Sequence, residues 1–186
     1  MALHRRLLVL SVLVLLASLA VAAQPKRAGV MGDLLADVTD VEGKVVGLSK
    51  AIPESAYGWR PMAGVRSVGE ALAHVATDNY FMAVALGTPA PAGTGIVGTD
   101  YKTAEAFEKK TRTRAEIIAE VERSFAFMKK AMADTPDAKL DTTVKMFGSE
   151  STVRATWVGA VTHVHEHLGQ LIAYARSNKV VPPWSK

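Results

Sequence analysis

The stretch Ser67–Gly87, "SVGEALAHVATDNYFMAVALG", decides the fold. Its first four residues have the capping-box form: Ser67 can accept from an amide one turn on, and Glu70 can reach back to the Ser67 amide. The run that follows is mostly apolar, and Gly87 supplies a stop. The reading is a helix packed into a core. His74 stands in the middle of its apolar part, with Ala71, Asp78 and Phe81 on the same side. An inward imidazole needs a hydrogen-bond partner or a metal, because burying an unpaired polar group is costly.

The chain has five histidines, and three of them fall within "THVHEHLGQLIAYARSNKVVPPWS", Thr162–Ser185. At about 100° per residue, His163 and His167 lie about 40° apart on one helical face, one turn above the other. That is the H-x-x-x-H arrangement of two imidazoles on one metal. His165 lies about 200° from His163 and points away, as a surface residue. Gln170 and Tyr174 return to the His163/His167 face. If the two helices pack together, His74, His163 and His167 converge as a metal triad. Neutral imidazoles favour Zn²⁺, Ni²⁺, Fe²⁺ or Cu²⁺ over Ca²⁺ and Mg²⁺. Three protein ligands leave positions open for water or substrate, the pattern of a catalytic rather than a closed structural site.

Around the triad, Asp78 and Glu166 are candidates for proton handling. Asp78 is alternatively a fourth ligand or a partner that orients an imidazole, and Glu166 is alternatively a solvated helix acid. Gln170 and Tyr174 are candidates for hydrogen bonding a substrate, with Tyr174 alternatively a core residue. Trp59, Arg60 and Trp184 lie near helix ends, where they can line a mouth. Arg60, before Pro61, reads as an ion pair that pins its loop.

Three more helices follow from pattern. "GDLLADVTDVEGKVVGLSKAI" places Leu34, Leu35, Val38, Val41, Val45 and Leu48 near one stripe. "TRAE" gives a second capping box at Thr113, followed by "IIAEVERSFAFMKKAMA". The histidine helix is expected from about Thr152 to Ser177, ending before "VVPPW". Between them, "PESAYGWRPMAGVR" reads as a structured loop and residues 88–102 as a Pro- and Gly-rich connection long enough to cross the end of a bundle. "TAEAF" allows a short helical turn, and "DTPDAKLDTTVKMFGSES" reads as irregular with a brief extended piece. Few aromatics and little Val/Ile alternation favour an all-α fold, and four long amphipathic helices imply a four-helix bundle.

The 186 residues suit one core-bearing domain, expected over residues 24–186. Residues 1–23 read instead as a secretory signal peptide: "MALHRR" is basic, "LLVLSVLVLLASLAV" is uncharged and apolar, and "AVAAQ" offers small residues for cleavage after Ala22 or Ala23. The mature chain is expected to be periplasmic or secreted, without stable membrane insertion. Loss of Arg5 and Arg6 takes the formal charge from +4 to +2. The remaining cations are interspersed with acids, so no nucleic-acid partner is expected. The absence of cysteine rules out disulfides, thiolate ligands and cysteine nucleophiles.

The segments "IPESAYGWRPMAGVRSVGEALAHVA", "SFAFMKKAM" and "HVHEHLGQLIAYARSNKVVPPWS", in this order and spacing, resemble the DinB-like (DinB/YfiT-like) family of four-helix metalloproteins from about Met31 to Ser185. The resemblance implies an up-down-down-up four-helix bundle with a long crossover between the second and third helices. It implies metal-ligand roles for His74, His163 and His167. It also implies a divalent ion, here Zn²⁺, Ni²⁺, Fe²⁺ or Mn²⁺, and frequent homodimers. Characterised relatives include thiol-dependent transferases and isomerases that use cytoplasmic thiols; a signal peptide would place this chain where such thiols are scarce. Two functions follow as expectations: a metal-dependent hydrolase or thiol-type transferase acting on a small molecule, or a non-catalytic periplasmic metal-binding or stress-related protein. A bare bundle whose histidines serve packing alone is the third.

Overall fold

The structure, a computed structural model, describes residues 28–185. Four long helices dominate: α1 (Val30–Ala51), α2 (Val68–Ala85), α4 (Arg114–Asp134) and α5 (Val153–Ser177). A short helix, α3 (Tyr101–Glu108), lies in the connection from α2 to α4, and a two-stranded antiparallel hairpin, β1 (Thr143–Met146) and β2 (Ser149–Thr152), precedes α5. Among the described residues the fold is all-α apart from that hairpin. The expected helices are present at the expected places, and the segment read as irregular contains the hairpin.

In α1, Val38, Val41, Val45 and Leu48 are fully buried at helical spacing. The helix packs mainly against α4 and α5, and α2 packs against the same two from the other side. Every residue of α2 from Ala71 to Ala83 is buried, which explains its lack of a polar face: a helix enclosed on all sides needs none. Both capping boxes form, Ser67 with Glu70 and Thr113 with Glu116. Arg114, at the start of α4, donates to the carbonyls of Ser49, Lys50 and Ile52 at the end of α1. The guanidinium thus satisfies carbonyls that have no partner within their own helix and ties the two helix ends together.

The loop before α3 is pinned to the end of α2 at Gly98, where a Cβ would meet Ala85 Cα at 2.6 Å. Near the same end of the bundle, Trp157 is fully buried on α5 and its indole N–H donates to Thr135 Oγ1 at 3.2 Å. After α5, the Pro-Pro segment packs back on α1, with Pro183 against Gly47. Among the described residues no helix is long and apolar enough to cross a membrane; the expected signal peptide lies outside them.

Candidate metal centre

α2 and α5 are neighbours, and that contact brings the three predicted histidines together. His163 Nε2 lies 3.2 Å from His74 Nε2 and 3.1 Å from His167 Nε2. The three rings stand edge to face, with centroids 4.5–5.1 Å apart. His74 is buried and the other two are half-buried.

The proton on each ring follows from its other nitrogen. His74 Nδ1 is 2.8 Å from Glu108 Oε2. Burial opposes ionisation of Glu108, but hydrogen bonds from His74 and Arg66 outweigh it and hold the carboxyl down to about 2. Facing a carboxylate, His74 Nδ1 donates to it, which leaves Nε2 as the ring nitrogen that can offer a lone pair to a ligand. Arg66 clasps the same carboxylate with two nitrogens, at 2.7 and 3.3 Å.

His167 is fixed by a longer chain. The Arg66 carbonyl can only accept, so the Tyr174 hydroxyl, 3.1 Å away, donates to it. Tyr174 then accepts from Gln170 Nε2 at 2.8 Å, which turns Gln170 Oε1 toward His167 Nδ1 at 2.7 Å. Nδ1 therefore carries the proton and Nε2 the lone pair. The amide orientation is assigned from this network.

Two lone pairs thus point at His163 Nε2. A proton there could satisfy one of them, whereas a cation satisfies all three nitrogens. Ligand distances of about 2.0–2.1 Å place bound nitrogens about 2.9–3.4 Å apart at octahedral to tetrahedral angles, which matches the spacings at His163. Burial, then the neighbouring imidazoles and Arg66, lowers the His163 pKa to about 3, and burial also lowers that of His167. His163 therefore keeps its lone pair well into acid, and His167 is biased the same way, as ligation requires. His74, His163 and His167 form a cluster able to hold a metal ion.

Asp78 stands beside the cluster. Its Oδ2 is 3.3 Å from His163 Nε2 and 3.6 Å from His74 Nε2, and its Oδ1 accepts from the Tyr101 hydroxyl at 3.0 Å. Burial raises its pKa, against the opposing influence of His74 and Tyr101. Gln170 and Tyr174 lie on the His167 side, and Trp59 packs edge-on against Tyr174 at 5.3 Å. Glu166 is exposed on the flank of His167, where its charge acts on that ring. His165 points outward and meets Asp37 of α1 at 3.0 and 3.1 Å. Arg60 pairs with Glu70 and with the Val65 carbonyl, pinning its loop.

Sequence reasoning did not find Glu108, Arg66 or Tyr101. Glu108 sits in "AFEKK", a charged run that resembles solvated surface. The available signal was the apolar pair Ala104 and Phe107, which marks an amphipathic turn and hence an inward side for α3. A cleft of 690 Å³ opens on the far side of Arg66 and Glu108, between the start of α2 and the α3–α4 loop, and the histidines do not line it.

Fold and cluster together define a helical-bundle protein with a three-histidine cluster able to bind a divalent ion. The chain belongs to the DinB superfamily, whose family profile matches residues 38–171. Solved structures with the same fold include a DinB-like protein from Bacillus cereus (14% identity, TM-score 0.68, covering 83% of this chain and 95% of that one). A DinB-like protein from Bacillus subtilis is similar at 17% identity and TM-score 0.61, covering 80% and 93%. A conserved protein from Enterococcus faecalis matches at 13% identity and TM-score 0.63, covering 81% and 97%. A search of curated proteins finds no match.

Proposed function

We propose that this chain is a divalent-metal-dependent enzyme acting on a small molecule, either a hydrolase or a thiol-type transferase. The observation that carries the reading is the convergence of three imidazole Nε2 atoms, two of them with tautomers set by Glu108 and Gln170. His74, His163 and His167 hold the ion, with Zn²⁺, Ni²⁺, Fe²⁺ and Mn²⁺ as candidates. Such an ion supplies Lewis acidity that polarises a substrate oxygen and acidifies a water or thiol. Asp78 Oδ2, the oxygen not engaged by Tyr101, receives the proton. Gln170 and Tyr174 position His167, and Glu108 and Arg66 position His74. An export signal in residues 1–23, as the sequence reads, supports the hydrolase over the thiol transferase and a periplasmic or extracellular location.

A second reading rests on Asp78. With Oδ2 within 3.6 Å of two ligand nitrogens, it can act as a fourth ligand and close the centre, giving a non-catalytic metal-binding or stress-related protein. The deciding experiment has two stages. Metal content of the untagged protein should be near one ion per chain and should be lost in His74→Ala; an empty protein that takes up none of the four ions removes both readings. Turnover of ester, amide or thiol-conjugate substrates that disappears with chelator and returns with metal then supports the enzyme. Stoichiometric metal without turnover favours the binder.

A further inference from the structure

The hairpin turn has an unexpected composition. β1 and β2 are joined by two residues, Phe147 and Gly148, with Met146 paired to Ser149. Both turn residues have positive φ, 50° and 82°. Two-residue turns of this kind favour Asn-Gly, because left-handed backbone is unfavourable for a bulky side chain. Phe147 is nevertheless there, and it is 62% exposed. Anchoring does not require it, since Met146 already buries its side chain in the core.

Phe147 stands 5.6 Å from Phe81 and 5.4 Å from Tyr101, and those two rings are 4.9 Å apart. Tyr101 is also the hydroxyl that holds Asp78. Phe81 lies one turn beyond Asp78 on α2, on the face that carries His74. A three-ring wall therefore starts one hydrogen bond from the carboxylate beside the histidines and ends in an exposed phenyl ring held in a costly backbone conformation. Strain of this kind at the margin of a site marks a residue kept for what it touches rather than for the fold.

We propose that Phe147 and Tyr101, backed by the buried ring of Phe81, form the wall that receives an aryl or other planar apolar part of the ligand whose polar head group reaches the metal centre. This inference rests on the metal-centre reading above and specifies its substrate class: a small aryl-bearing ester, amide or thioether. Phe147 is the specificity-determining residue, and its ring adds contact without touching the histidines.

Two hydroxamates test it, because they share one metal-binding head group and differ in the ring. Acetohydroxamate and benzohydroxamate are titrated calorimetrically into the Co²⁺-loaded protein, and cobalt absorption reports head-group binding. The wild type should bind benzohydroxamate about tenfold more tightly, the scale of an aromatic contact with its buried area. Phe147→Ala and Phe147→Asn should each bring that ratio close to unity, with metal content and acetohydroxamate affinity unchanged. Phe147→Asn places the favoured residue in the turn, so it should melt no lower than the wild type, and its loss of ring preference cannot be ascribed to unfolding. An unchanged ratio in both variants would overturn the wall and leave the metal centre standing. Failure of both hydroxamates to perturb the cobalt spectrum would overturn the open centre, and the wall with it.

Discussion

At the scale of single residues, Asp78 and His163 respond to pH in opposite senses. The raised pKa of Asp78 means that its ionised form is costly in the folded chain and free in the unfolded one. Asp78 therefore lowers metal-free stability at neutral pH, and Asp78→Asn should raise the melting temperature measured in chelator. The same variant should weaken metal binding by about 10–100-fold, as loss of a carboxylate supporting a metal site does; competition against a chromogenic chelator reads this directly. For His163 the folded pKa, about 3, lies below the ordinary 6.5. The unfolded chain takes up a proton that the folded chain refuses, so stability is present above pH 6.5 and lost as pH falls toward 3. Metal-free melting curves between pH 7 and 4 should show this decline, and His163→Gln should flatten it. Glu108→Gln, which leaves His74 Nδ1 a hydrogen-bond acceptor but removes the charge, should loosen the metal by about 10–100-fold and also lower the metal-free melting temperature at neutral pH, where the depressed carboxyl pKa marks stabilising contacts with Arg66 and His74.

The three histidines were legible because helical periodicity maps four-residue spacing onto one face, and because an inward His74 demands a partner. Glu108 was not, since it meets His74 across 34 residues of chain, and no local pattern encodes such a meeting. Tyr101 was hidden for the same reason. It lies in a connection whose Pro and Gly content marks a loop but not where the loop returns.

At the scale of elements, the capping boxes made two helix starts readable to within a residue. Ser67→Ala removes the cap that starts the ligand-bearing α2 and should cost about 1 kcal/mol in chemical denaturation. Only a brief extended piece was legible where the hairpin lies, because its strands are four residues each and its turn lacks the Asn-Gly signature. Without that hairpin as a spacer, α5 is readable as a helix but not as one whose start is set by β2. Thr152 both ends the strand and caps the helix, which gives α5, and with it His163 and His167, a defined beginning.

At the scale of the whole molecule, the core is continuous from α1 to α5, and its largest fully buried side chain is Trp157. Trp157→Ala should cost about 3–5 kcal/mol, visible as a shift in the denaturation midpoint. A divalent ion that binds only the folded chain should raise the melting temperature in proportion to the logarithm of its free concentration. His167→Ala should abolish that dependence, while a stability that ignores added metal would return the histidines to packing alone.

Arg66 joins these scales. Its guanidinium secures the carboxylate behind His74, and its carbonyl terminates the chain behind His167. One loop residue thus acts as a common datum for ligands carried by two different helices. A protease cut between residues 60 and 65 would leave every histidine intact and still blind the centre. By reciprocity, occupancy of the centre should slow both cleavage of that loop and amide exchange within it, so that the loop becomes a gauge of metal occupancy readable without observing the metal.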